Sequence, residues 1–207
     1  LSSYLKFGLI SIREAYHAAL SVGAEDLIRQ FYWRDFWYQL ALNHPQFFAG
    51  PLNPRFANLP WKNEKNLINR WILGKTGYPI VDAGMRELKE TGYIHNRIRL
   101  VVACFLVKNI GADWRIGEKY FAMQLADYDP AINNGNWQWA AGTGCDAAPY
   151  FRIFNPQSQQ EKFDPEAKYI KTWLPEWGTK SYSAPIVDHN FARERCLTEF
   201  KKGLSLT

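Results

Sequence analysis

Between breaks at Gly, Pro and Asn, the apolar residues of this 207-residue chain recur at every third or fourth position and seldom alternate. Alternation marks a half-buried strand; the wider spacing marks an amphipathic helix. The pattern predicts an all-α fold with long ordered loops. With no internal repeat or compositional break, the span 1–207 reads as one domain. The clearest helix is Tyr93 to Asn109, where Ile94, Ile98, Val101, Val102, Phe105 and Leu106 form a stripe. Asn96 and Arg99, three apart, share a different face, and Arg97 points elsewhere. Further helices are predicted over Ile12–Val22 (closed by Gly23), Glu25–Asn43, Asn63–Leu73 (Asn63 as cap, Gly74 as stop) and Pro79 to Gly92. Others run from an Asp113 cap through Leu125, from Asp164-Pro165 to Pro175, and over Phe191–Lys202.

Nine tryptophans need an explanation, because each indole N–H asks for a partner when buried. Most read as packing; the excess points to stacking surfaces or electronic roles. The run Phe31 to Tyr38, FYWRDFWY, has aromatics on every side of its helix. Such a helix is either deeply buried, with Arg34 and Asp35 as an internal ion pair, or presents aromatics to a ligand. The net charge of +5 is compatible with a polyanionic partner. Cys104, Cys145 and Cys196 lack metal-ligand spacing and read as reduced thiols of an intracellular protein. No apolar run is long enough for a membrane span, no signal peptide opens the chain, and the start at Leu1 reads as a piece of a longer polypeptide.

Chemistry concentrates in Asp127 to Pro156, DYDPAINNGNWQWAAGTGCDAAPYFRIFNP. Amides and carboxylates interleaved with tryptophans suit a polar, aromatic-walled pocket for a flat, hydrogen-bonding molecule. Asp127 and Asp129 have three readings. They are metal ligands, which lack a third ligand nearby in sequence, a helix cap with a turn residue, or acceptors for the imide or ribose donors of a heterocycle. Asn133, Asn134 and Asn136 both donate and accept, as the edge of a flavin or nucleobase requires. Trp137 and Trp139, two apart, face different ways on a helix. Trp33, Trp61, Trp71 and Trp114 are further aromatic candidates. The four histidines have no nucleophile nearby in sequence, which argues against a hydrolase.

The runs Gly74 to Ala83 (GKTGYPIVDA), Ile94 to Arg99 (IHNRIR), Asn133 to Ala141, Thr143 to Pro156 and Trp173 to Glu176 resemble the photolyase/cryptochrome family. The likeness extends over nearly the whole chain. It matches the helical domain that binds FAD, and within the family it is most similar to photolyases of the cyclobutane pyrimidine dimer type.

The resemblance implies roles residue by residue. Asp127, Tyr128 and Asp129 lie around the flavin ring, Arg99 pairs with Asp127, and Asn133 faces flavin N5. Ser2 ends the segment that binds the FAD phosphates. Trp137, Trp114 and Trp61 form an electron-transfer chain from flavin to surface. Trp33 and Trp139 flank a flipped-out dimer, while Gln30, Arg34, Asn96, Arg97 and Gln159 touch the lesion or the DNA backbone. No metal is implied. The implied activity is light-driven repair of pyrimidine dimers in damaged DNA by electron transfer from reduced FAD. A cryptochrome-like photoreceptor without repair, or a flavin-free fragment, stand as alternatives. A monomer is expected, in a bacterial cytoplasm beside the nucleoid or in a eukaryotic nucleus. Contact with an N-terminal antenna domain belongs to the same expectation. That α/β domain is not in this chain, so no antenna chromophore is expected here, and the Thr-Ser start of the phosphate segment is also missing. Gln30 stands where dimer-specific members carry Glu, and Leu100 where many carry Met.

Overall fold

The computed structural model describes residues 1–145 and 149–205; residues 146–148, inside the 127–156 stretch and its 143–156 motif, lie outside the described residues. Among the described residues there are eleven α-helices and no strand. They are α1 (Ser2–Lys6), α2 (Ile12–Ser21), α3 (Glu25–Asn43), α4 (Lys65–Ile72), α5 (Pro79–Thr91), α6 (Asn96–Cys104), α7 (Trp114–Gln124), α8 (Pro130–Ala141), α9 (Pro156–Phe163), α10 (Lys168–Trp173) and α11 (His189–Ser205). None is long and apolar enough to cross a membrane.

Local chemistry explains most boundaries. Ser11 Oγ accepts from Glu14 N at 3.1 Å, satisfying a free amide in the first turn of α2. Pro79 and Pro130 begin α5 and α8, where a missing N–H costs nothing. Gly92 and Gly142, at φ +68° and +78°, end the same two helices in the left-handed conformation that a Cβ disfavours. The helix expected over Tyr93–Asn109 starts at Asn96 and is capped by His95, whose Nδ1 accepts from Arg97 N. Its last six residues, Phe105–Ile110, widen into a fully buried π-turn.

Two expected starts move. Asn63 does not cap α4: it sits at φ +50°, one residue too early, and its Oδ1 accepts from Asp113 N at 2.8 Å, tying the start of α4 to that of α7. The helix expected from Asp164-Pro165 begins at Lys168, because the Asp164 carboxylate reaches forward to accept from Tyr169 N and Ile170 N.

One apolar cluster dominates. It joins α4 through Trp71, α5 through Val81, Met85 and Leu88, α6 through Val102, α7 through Trp114 and α8 through Trp137. At about 25 cal/mol per Å² of apolar surface, these wholly buried side chains supply the main driving force. A smaller cluster (Ala15, Ala19, Phe31) holds α2 to α3, and a third (Trp37, Phe47, Ala131) holds α3 to α8. The fold thus presses α1, α3, α6 and α8 around one space.

Candidate functional site

That space is a cavity of about 320 Å³, within the range of small-molecule and cofactor sites. Residues singled out by sequence line it: Ser2 from α1, Gln30 and Arg34 from α3, Asn96, Arg99 and Leu100 from α6, Asp127, Tyr128 and Asp129 from the loop, and Asn133, Asn136 and Trp137 from α8. Asn96 and Arg99 meet there because three residues make nearly one helical turn. Arg97 points away and lays its guanidinium over the Phe163 ring at 4.6 Å.

The polar groups are organised by one another. Arg99 Nη2 donates to both oxygens of Asp127, at 3.1 and 2.9 Å, and its Nε donates to Ile94 O at 2.9 Å. Ser2 Oγ adds a 2.6 Å bond to Asp127 Oδ2, so α1 closes over the buried carboxylate. Asp129 has two tasks. Its Oδ1 accepts from Ala131 N and Ile132 N and caps α8, and its Oδ2 takes the Tyr38 hydroxyl and lies 3.9 Å from Lys6 Nζ. The cap-and-turn reading of this acidic pair is therefore realised, and Asp127 Oδ1 and Asp129 Oδ2, with one hydrogen-bond donor each, keep lone-pair capacity. Asn133 spends its NH₂ on Glu118, donating to the backbone O at 3.1 Å and to Oε1 at 3.0 Å. That leaves Asn133 Oδ1 as a fixed acceptor.

Burial shifts several of these groups. It pushes the Glu118 carboxyl up, only partly countered by the Asn133 amide. Tyr38 rises to about 12, chiefly through burial and then through its bond to Asp129. Tyr128 rises by burial, then by the charges of Glu118 and Asp129.

The remaining candidates lie outside the cavity wall. Trp114 is buried in the main cluster with Trp137, and Trp61 packs at that cluster's edge, so the three tryptophans of the expected chain share one apolar body. Trp137 also meets Phe121 edge-on at 5.1 Å and Trp71 at 6.3 Å. Trp33, 38% exposed, stacks on Trp37 at 6.3 Å; Trp139 packs into the same Trp37 cluster, so α3 and α8 bring the two toward one aromatic patch. Gln159 is half-buried, with its Oε1 unpartnered. The internal ion pair considered for α3 is instead a surface contact. Arg34 reaches Asp35 at 3.4 Å with Asp35 62% exposed, and its guanidinium lies over Tyr38 at 4.5 Å. Helix α3 is not deeply buried on every side: Tyr32, Trp33 and Tyr38 are exposed, while Phe31 and Trp37 are buried.

Sequence reasoning missed Lys6, Tyr38 and Glu118. Tyr38 carried a signal, standing four residues after Arg34 and so on the same face. Lys6 and Glu118 carried none, since each acquires its partner across elements.

The FAD binding domain of DNA photolyase, taken as a family, matches residues 27–179. The chain belongs to that family. The deoxyribodipyrimidine photo-lyases of Vibrio cholerae and Escherichia coli are each 43% identical to it, over 97% of this chain and 48% of their own length. Among solved structures, an archaeal photolyase from Sulfolobus tokodaii with two FAD molecules superposes with a TM-score of 0.92 at 48% identity, covering 98% of this chain and 50% of that one. A bacterial class III photolyase from Agrobacterium tumefaciens gives 0.94 at 39%, covering all of this chain and 49% of that one. A cryptochrome from Synechocystis gives 0.87 at 33%, over 95% and 47%. This photolyase-family chain spans about half the length of the curated relatives it matches.

Proposed function

We propose that the chain is the flavin-holding and lesion-binding part of an enzyme that splits cyclobutane pyrimidine dimers in DNA with light. The observation that carries this reading is one cavity with two kinds of wall. Arg99–Asp127 and Asn133 supply charge and a fixed acceptor for a flavin ring, and Gln30, Arg34 and Asn96 supply polar edges for a damaged base on the same cavity.

The residues fit FAD on their own chemistry. A half-exposed arginine locked by a buried carboxylate favours an electron-rich, anionic ring system. Asn133 Oδ1, oriented by Glu118, accepts from an N–H at the ring's centre. Trp137 and Phe121 give the apolar wall, and Ser2 and Lys6 on α1 suit the phosphates. Bound FAD supplies a light-absorbing electron donor. The chain's residues hold it dry and oriented, and they feed it electrons through Trp61, Trp114 and Trp137.

DNA binding follows the same logic. A dimer has to leave the duplex, at a cost of a few kcal/mol, less for a poorly paired lesion. Stacking on Trp33 and Trp139 returns roughly 1–3 kcal/mol per base. Arg34, Arg97 and Gln159 hold backbone and lesion edges, which makes affinity fall with salt.

The test is to load the chain with FAD, reduce it, and illuminate it with dimer-containing DNA. Dimer content should fall in the light and not in the dark. The likeness to a cryptochrome supports a second reading, photoreception without repair. Light-dependent flavin reduction with unchanged dimer content would establish that reading and overturn the first.

A further inference from the structure

We propose that Glu199 is the proton acceptor for Trp61: when Trp61 is oxidised, its indole N–H proton passes to the Glu199 carboxylate across a gap that holds one water. The inference rests on the reading of Trp61 as the outer end of the electron chain. It concerns a part of the molecule remote from the cavity, where the loop before α4 meets α11.

Four observations converge there. First, the Trp61 ring stands edge-on against Phe200 at 6.1 Å, and beside them Trp61, Val107, Gly111, Cys196, Glu199 and Phe200 bound a gap of about 10 Å³. A single water needs roughly 10–15 Å³, so the gap admits one water and no more. Second, the Trp61 indole N–H bonds to none of the described residues, whereas Trp71 Nε1 donates to Val102 O at 3.0 Å. Third, Arg195 Nε is buried without a hydrogen-bond partner and stands 3.9 Å from Glu199 Oε2, while Arg195 Nη2 is held by Asn109 O. A donor 3.9 Å from a carboxylate is spaced for a bridging water; Arg195 does not line the gap beside Trp61, so the contact shows that Glu199 Oε2 takes no direct hydrogen bond from this donor. Fourth, among the described residues that line the gap Glu199 is the one carboxylate. Its neighbours are the cations Lys62, at 3.5 Å, and Arg195, the Lys108 ammonium on the Phe200 ring, and the Cys196 thiol, which burial pushes up to about 11 and so keeps protonated at neutral pH. None of those is a base.

The step balances. Trp61 gives up one electron, through Trp114 and Trp137, to a photoexcited oxidised flavin. Its N–H bond breaks, an O–H bond forms on Glu199 through the water, and a neutral indolyl radical remains. A thiol reductant in solution later returns one electron and one proton to Trp61. Glu199, whose side chain is 23% exposed, releases its proton to solvent. Until the proton leaves, the electron can fall back onto the indole; afterwards return requires recapturing a proton, so the charge separation lasts.

The experiment is flash photolysis of the chain carrying oxidised FAD, following conversion of the indole radical cation to the neutral radical. Glu199→Gln should slow that conversion by about 100-fold, the low end of what a positioned base contributes, and Glu199→Asp should restore most of the rate. Lys62→Met breaks the same ion pair but keeps the carboxylate, and it should leave the conversion fast. Unchanged kinetics in Glu199→Gln, or equal slowing in Lys62→Met, would overturn the proposal. Repeating the comparison without flavin, using a diffusing ruthenium polypyridyl photo-oxidant and Trp61→Phe to subtract the other tryptophans, separates the two readings. A missing flash-induced radical with a Glu199-dependent proton loss under the ruthenium oxidant indicts the flavin chain alone; loss of that dependence indicts the relay.

Discussion

A half-buried carboxyl and a buried ammonium carry consequences that a contact diagram would miss. Glu118 orients Asn133, and burial holds its carboxyl above the ordinary value. A carboxyl raised in the folded state contributes stability that is complete below the unfolded value, about pH 4, and that is lost as pH climbs through the folded value. Glu118→Gln keeps an acceptor for Asn133 and removes the charge. It should be more stable than wild type at neutral pH, with the gap in urea midpoint closing as pH falls toward about 4. Lys108 is the opposite case. It is 1% exposed, donates to Ala141 O at 2.6 Å, lies over the Phe200 ring, and is pulled down to about 8 by burial. The unfolded lysine, near 10.4, then binds more protons than the folded one at intermediate pH, so this group makes stability rise between about pH 8 and 10.4. The shift withholds roughly 3 kcal/mol at neutral pH. In Lys108→Met that rise should be absent. Calorimetric melts of both proteins across this window check it, and parallel pH profiles would exclude the buried ammonium as the cause.

At the scale of elements, the packing of α7 on α8 sets the site. Gly117 lets the Trp137 ring lie directly on α7: a Cβ there would stand 2.1 Å from the ring and 2.6 Å from Leu106. Gly117→Ala should cost about 1–3 kcal/mol by overpacking, despite alanine's better helix propensity, and should displace Trp137 from the cavity wall. A drop in melting temperature with a shifted tryptophan emission checks it; a stabilised variant would contradict the packing. Sequence alone made α7 legible as a helix through its Asp113 cap, whereas α8 is absent from the predicted helices although Pro130 opens it and Gly142 stops it. Sequence also left Gly117 mute, because a glycine's reason lies in another element. The same division runs through the chain. The α3 bounds, Glu25 to Asn43, were readable, but which of its aromatics are buried was not, since Phe31 and Trp37 are covered by different clusters. Helix α9 carries no clear mark in the sequence although Asn155-Pro156 opens it, because the polar and aromatic stretch from Asp127 continues without a break to Pro156. In the site, the pairing of Arg99 with Asp127 came from the family resemblance, whereas Lys6, Tyr38 and Glu118 emerge only when distant helices meet.

Across the whole molecule, stability is unevenly distributed, and the ligand cavity lies on the seam. The main cluster unites α4 to α8 with wholly buried Trp71, Val81, Met85, Leu88 and Phe105. By contrast, α1 buries no residue, and α2 meets α3 through little more than Ala15, Ala19 and Phe31, leaving Tyr4, Phe7, Leu9, Leu20 and Val22 exposed. Regions with few buried apolar contacts open first, independently of global unfolding. Yet α1 supplies Ser2 and Lys6 to the cavity, through a hydrogen bond to Asp127 and an ion pair to Asp129. A ligand that engages both walls therefore binds only the closed arrangement, and it stabilises that state by about 2.7 kcal/mol at a free concentration one hundred times its Kd. Hydrogen exchange should be fastest over residues 1–24 and slowest over 98–121 and 133–141, and FAD should slow exchange at residues 2–6 by about one hundredfold under that saturation. Equal protection of 2–6 with and without FAD, in a sample where the flavin is demonstrably bound, would mean that α1 takes no part in holding it. Arg99→Ala supplies the control from the opposite wall. It leaves the Asp127 carboxylate buried with only Ser2 as its partner, and it should weaken both FAD binding and the protection of α1, because the charge that draws Ser2 inward would then lack its cation.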